Sequence, residues 1–186
     1  MKPLFQAALE LQTLIEKKNW RFCFIGGVAL QRWGEPRLTV DVDVALLTGF
    51  GDEKKFIDAL LAAYPGRIAD AAGFAEENRV LLLKTAHGVG IDIVLAGLPF
   101  EEDAVKRASF FEFLPGINLI TCSAEDLIIM KAFADRPRDW VDIQSVIDRQ
   151  RGKIDKLYIV TRLSPLCDIK EAPEILSRLN DLLSKS

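Results

Sequence analysis

A chain of 186 residues, 49% of them hydrophobic, can bury a substantial core, which excludes a disordered polypeptide and fits one domain or one domain with a small appendage. The formal net charge of −3 argues against a broad basic face, so any contact with nucleic acid is expected to be local. A single histidine, His87, and three cysteines spread among apolar neighbours, Cys23, Cys122 and Cys167, argue against a histidine-rich zinc site, a Ser-His-Asp triad and a disulfide framework, and point to carboxylates, lysine and arginine to carry any chemistry. No apolar run reaches the length of a membrane span, and the start, Met1-Lys2-Pro3, leads into an amphipathic stretch with no signal-peptide core. A cytoplasmic protein without a membrane partner is expected.

Taken in chain order, Leu4, Ala8, Leu11 and Ile15 recur at helical spacing and predict an amphipathic helix over 4–18. A short strand over 21–25 ends at Gly26-Gly27, and a short helix over 27–33 closes at Gly34-Glu35-Pro36. A second strand follows over 39–47. Alternation along it sends Asp41 and Asp43 to one face and Val40, Val42, Val44 and Leu46 to the other, into a core. Residues 52–63 form a further amphipathic helix, stopped by Pro65-Gly66. Strands over 79–84 and 90–95, around His87-Gly88, predict a hairpin. A helix over 99–108 and a strand over 117–121 complete this part.

From Ser123 the pattern turns helical. Ser123-Ala124-Glu125-Asp126 fits a capping box, and Leu127, Met130 and Ala134 follow on one face. Residues 135–138 break that helix, another runs over 139–150, and two more occupy 154–186. The predicted fold is α/β (α+β): a mixed β-sheet core flanked by helices over 1–122, with a helical C-terminal region over 123–186 packed on it.

Two carboxylates side by side on an apolar strand repel one another and resist burial, so a cation is expected beside Asp41 and Asp43; a pair of hard divalent metals suits such ligands. The Gly26-Gly27 turn offers bare backbone N–H groups to an anion. A third acid is available in Gly90-Ile91-Asp92-Ile93-Val94-Leu95, where Ile91, Ile93 and Leu95 share one face and Asp92 lies on the other. If this strand lies beside 39–47, three carboxylates converge in a form suited to two-metal phosphoryl transfer on a nucleoside triphosphate, with Asp92 completing the site or taking the proton of the attacking hydroxyl. Each of these residues also has a plain structural reading. Acids on an edge strand can be solvated, a Gly-Gly pair can be only a tight turn, and Arg37 can pair at the surface with Asp41 or Glu35. Lys131 can lay its stem along Leu127, and Asp139 and Asp142 can be ordinary first-turn acids.

The run Gly26-Gly27-x-Ala29, Arg37-x-Thr39-x-Asp41-x-Asp43, with Asp92 on a later strand, resembles the nucleotidyltransferase superfamily of DNA polymerase β. Within it the chain is similar to the minimal bacterial group that includes abortive-infection nucleotidyltransferase toxins. The stretch from Asp92 to Glu101 and the downstream Glu125-Asp126-Leu127-x-x-Met130-Lys131 with Arg136-Pro137-Arg138-Asp139-x-x-Asp142 carry that closer likeness, which covers roughly residues 24–147. The resemblance implies that Gly26 and Gly27 approach a triphosphate and that Arg37 and Thr39 belong to the nucleotide site. It implies that Asp41, Asp43 and Asp92 bind two Mg2+ ions, with Mn2+ as the alternative. Lys131 would reach the nucleotide phosphates, with Asp139 and Asp142 orienting Lys131 or Arg37. Many members carry Gly-Ser where this chain has Gly26-Gly27, so only backbone contacts to phosphate are expected. The implied activity is transfer of a nucleoside monophosphate from an NTP to an acceptor hydroxyl, RNA or tRNA among the candidates, with release of pyrophosphate. The implied partners are the NTP, that acceptor and a cognate antitoxin. A non-catalytic nucleotide- or partner-binding module with the same fold is the competing expectation.

Overall fold

Alternating apolar residues build the central strands that carry the acids, and the computed structural model, which describes residues 2–184, joins six strands into one mixed sheet. In order, the elements are α1 (Lys2–Lys17), β1 (Phe22–Phe24), α2 (Gly26–Trp33), β2 (Asp41–Leu47), α3 (Glu53–Leu61), α4 (Ala71–Asn78), β3 (Val80–Lys84), β4 (Gly90–Ala96), α5 (Pro99–Arg107), β5 (Ser109–Leu114), β6 (Ile117–Thr121), α6 (Ala124–Ala134), α7 (Pro137–Arg149), α8 (Lys156–Lys170) and α9 (Pro173–Ser184). The strand order is β3-β4-β2-β1-β6-β5. The pairs β2–β4 and β1–β6 are parallel, and the remaining neighbours are antiparallel. The fold is thus a mixed α/β sheet flanked by helices, followed by a helical C-terminal region.

Contacts divide the described chain into two units. Leu38–Cys122 and the chain up to Val28 form the first; Ala29–Arg37 and the chain from Ser123 onward form the second. Helix α2 therefore begins in one unit and ends in the other. In the first unit α1 packs on β6 and β2 through Leu4, Ala8, Leu11 and Ile15, all buried. Val42, Val44 and Leu46 of β2 and Ile91, Ile93 and Leu95 of β4 join the same core, so each strand commits its apolar side inward and leaves its acids on the opposite face. In the second unit α6 packs against α7, α8 and α9. Its start is fixed by Ser123, whose Oγ accepts the Asp126 N–H at 3.1 Å and donates to Asp126 Oδ2 at 2.6 Å. The carboxylate of Asp126, wholly buried, also accepts the Tyr158 hydroxyl at 2.8 Å from α8.

Several details differ from the sequence expectation. Val40, placed in the core by alternation, is 66% exposed, because β2 begins only at Asp41. Helix α4 and strand β5 were not anticipated. The first contains Gly73 and is only eight residues long; the second presents Phe110 and Phe111 consecutively on a largely exposed strand at the edge of the sheet, without alternation. Helix α7 starts at Pro137, two residues earlier than expected, with proline at its first position, where no N–H is needed. Met1, quoted for the N-terminal reading, and Lys185 and Ser186, at the end of the last expected helix, lie outside the described residues.

Candidate active site

In the first unit the parallel register of β2 and β4 decides where the acids lie. Asp43 is directly opposite Asp92, and Asp41 is opposite Gly90. With a two-residue side-chain period, Asp41, Asp43 and Asp92 all stand on the face turned away from the apolar core. The Gly26-Gly27 turn reaches the same place. Gly26 adopts φ +52°, a conformation that glycine takes without steric cost, and a Cβ there would come within 2.6 Å of Asp43 Cγ. The Gly27 N–H donates to Asp43 Oδ2 at 3.1 Å. Thr39 lies over Gly27, whose Cβ, if present, would sit 2.8 Å from that of Thr39. The Thr39 hydroxyl in turn donates to the Asp41 carbonyl oxygen at 3.4 Å.

Sequence reasoning missed a principal member of this face. Arg67, between α3 and α4, inserts its guanidinium between two of the acids. Its Nη1 lies 3.3 Å from Asp41 Oδ1 and its Nη2 lies 2.6 Å from Asp92 Oδ1. The second contact is an ion pair that misses hydrogen-bond alignment, so Asp92 Oδ1 is a buried oxygen without an aligned donor. Burial pushes the Asp92 carboxyl above the ordinary value of 3.8; Arg67 opposes the shift and the Asp41 charge adds to it. No local pattern marked Arg67. It lies 26 residues from Asp41 and 25 from Asp92 in the chain, just after a Pro-Gly helix stop.

The carboxylates therefore share a face, but their side chains are not gathered into a metal cluster. No group of three or more His, Cys, Asp or Glu side chains among the described residues is disposed to hold a metal ion. Arg67 stands between Asp41 and Asp92, and Asp43 is turned to the Gly27 amide. The donor set nevertheless fits a hard divalent ion: three carboxylates on adjacent strands, one with a buried oxygen that takes no aligned hydrogen bond.

The other candidate residues belong to the second unit. Lys131, on α6, is buried, with its ammonium 2.9 Å from Asp139 Oδ1 and 2.7 Å from Asp142 Oδ2. Asp139 and Asp142, one turn apart on α7, are buried too. Arg37 donates through Nε and Nη2 to the two oxygens of Asp142 at 2.9 and 2.8 Å, a bidentate pair. Arg136 donates to Asp139 Oδ2 at 2.8 Å. Burial opposes ionisation of Asp142, but hydrogen bonds from Arg37 and Lys131 outweigh it and hold the carboxyl below its ordinary value. The described geometry thus shows Lys131 engaged with two carboxylates.

Residues 12–168 match the family described as "Nucleotidyl transferase AbiEii toxin, Type IV TA system". The fold is that of a nucleotidyltransferase, and the chain belongs to this AbiEii family. Among solved structures it is similar to ANT(2")-Ia in complex with adenylyl-2"-tobramycin, with a TM-score of 0.57 and 14% identity over 89% of this chain and 98% of that one. It is also similar to the lincosamide antibiotic adenylyltransferase LnuA, lincomycin-bound, with a TM-score of 0.50 and 17% identity over 74% of this chain and 92% of that one. At these identities the likeness concerns the fold. Comparison with curated protein sequences gives no match.

Proposed function

We propose that this protein transfers a nucleoside monophosphate from an NTP to an acceptor hydroxyl and releases pyrophosphate. The observation that carries the reading is the in-register pair Asp43–Asp92, with Asp41 beside it on the same face and the Gly26-Gly27 amides at its edge. Membership of a nucleotidyltransferase toxin family supports it. Asp41, Asp43 and Asp92 are the residues that would hold two Mg2+ or Mn2+ ions, whose role would be to neutralise the triphosphate charge. The Gly26 and Gly27 backbone approaches the triphosphate, while Arg37, Thr39, Lys131, Asp139 and Asp142 serve the nucleotide site. Asp92 accepts the proton of the attacking hydroxyl, a role helped by a carboxyl whose burial raises its affinity for protons. The new bond joins the acceptor oxygen to the α-phosphorus, and the bond from that phosphorus to the bridging oxygen of the β-phosphate breaks, so pyrophosphate leaves.

RNA, including tRNA, is the acceptor we favour, and a cognate antitoxin the partner, because the family is one of toxin–antitoxin systems. The cytoplasm is the corresponding place of action, and no described helix is long and apolar enough to cross a membrane. A second reading, a nucleotide- or partner-binding module without turnover, is favoured by one observation: Arg67 occupies the space between Asp41 and Asp92. The two are separated by incubating purified protein with each labelled NTP, magnesium and total RNA, with the Asp41→Ala/Asp43→Ala protein as control. Label in an RNA band that the control lacks supports the transferase. NTP binding with no label in RNA, protein or small-molecule acceptors supports the binding module.

A further inference from the structure

We infer that Arg67 is a built-in counter-cation of the acidic face, which holds Asp41 and Asp92 in the metal-free protein and must give way when divalent ions load. This rests on the transferase reading of Asp41, Asp43 and Asp92.

The placement of Arg67 is a product of the sheet itself. Gly66 forms a bridge to Leu83, the Arg67 N–H donates to the Leu82 carbonyl at 2.9 Å, and the Lys84 N–H donates to the Pro65 carbonyl at 3.1 Å. The segment therefore runs along the free side of β3. Leu82 is opposite Asp92, and Asp92 is opposite Asp43. Arg67, Leu82, Asp92 and Asp43 thus form a row across the sheet, which sets Arg67 on the same face as the acids. Its backbone is anchored, while its side chain crosses toward β2.

Gly90 makes that crossing possible. Its φ is not positive, so the backbone does not require glycine there. Space does: a Cβ at Gly90 would overlap Asp41 Oδ1 and lie 2.5 Å from Arg67 Nη1. The notch is opposite Asp41 in the register and receives the guanidinium.

The grip is uneven. The contact to Asp41 is long at 3.3 Å, and the contact to Asp92, close at 2.6 Å, leaves Oδ1 without an aligned hydrogen bond. Arg37, by contrast, closes a bidentate pair with the two oxygens of Asp142. Here one positive charge is spread over two carboxylates that a divalent ion would need. A guanidinium and a divalent ion repel at such separations, so the two occupants exclude each other.

The test is Mn2+ binding by the full-length protein, read by electron paramagnetic resonance of the free ion, for wild type and Arg67→Gln, together with melting in EDTA. Removing the competing cation is expected to tighten Mn2+ binding by about tenfold or more, as removal of an occluded state does. Arg67→Gln is also expected to melt below wild type in EDTA, with the gap closing when Mn2+ is added. Equal or weaker Mn2+ binding by the variant overturns the counter-cation role and leaves the transferase reading standing. Binding of Mn2+ by neither folded protein overturns both. If Arg67→Gln does not fold, phenylglyoxal modification of Arg67 in the wild-type protein, followed by mass spectrometry, decides instead. Faster modification with Mn2+ supports the inference, and an unchanged rate overturns it.

Discussion

Asp43 and Asp92 stand opposite each other across the parallel pair β2–β4, on the face of the sheet away from its apolar core. Two carboxylates so placed gain little from each other and need a shared positive partner. Asp43→Asn keeps an oxygen able to accept the Gly27 N–H but removes one charge from the group. Transfer is expected to fall by about 10³-fold or more, the scale for losing a group that stabilises transition-state charge. The melting temperature should stay at or above that of wild type. Pyrophosphate release and circular dichroism measured on one preparation decide the matter; full activity in the folded variant would remove Asp43 from the site.

The same geometry predicts a trade between stability and activity at Asp92. Burial raises its carboxyl above 3.8 in the folded protein, so the native state binds this proton more tightly than the unfolded chain does. Stability therefore declines as pH rises from 3.8 through the shifted value, and above it the ionised Asp92 is a net cost. Asp92→Asn should raise the melting temperature at pH 7 while abolishing transfer, with no gain below the ordinary carboxylate range. A lower melting temperature at pH 7 would show that the Arg67 pair outweighs burial.

Gly26 is required by conformation and by space. Gly26→Ala must hold an L-residue at φ +52° and push its Cβ against the Asp43 carboxylate. The left-handed conformation alone costs about 1–2 kcal/mol. Urea unfolding should show a loss of at least that size, and displacement of Asp43 should lower activity further than the stability loss explains. An alanine variant with wild-type stability and activity would mean that the turn relaxes freely.

How much of this could be read from the residues follows from the range of each signal. Asp41 and Asp43 were placed on one face by alternation alone, and the core side of β2 was correct at Val42, Val44 and Leu46. Val40 failed because alternation says nothing about where pairing stops. The adjacency of β2 and β4 joins residues about 50 positions apart, so the sequence posed it only as a condition. The cap at Ser123 was legible because its two partners lie only three positions apart. Arg67 was not legible. Nothing nearby marks it, and its meaning comes only from the row Arg67, Leu82, Asp92 and Asp43 that the sheet assembles.

In the second unit, the buried Lys131, Asp139 and Asp142 and the half-buried Arg37 form a charged group whose parts depend on one another. Two cations face two acids, and Arg136 adds a third, exposed, cation at Asp139. Lys131→Met leaves Asp139 without its buried partner and Asp142 with Arg37 alone, and should cost about 3–5 kcal/mol, the scale for breaking a buried pair from one side.

The acid profile of this group gives an independent check. The Asp142 carboxyl is held below 3.8 in the folded protein, so the unfolded chain binds its proton more tightly. The stability it contributes is fully present above the ordinary carboxylate range and is lost as pH falls from 3.8 through the lowered value. Asp142→Asn should therefore lower stability at pH 7 and flatten the decline below pH 3.8 relative to wild type. Urea unfolding at several pH values measures both. Parallel acid profiles in the two proteins would mean that Arg37 and Lys131 do not hold the carboxylate ionised in solution.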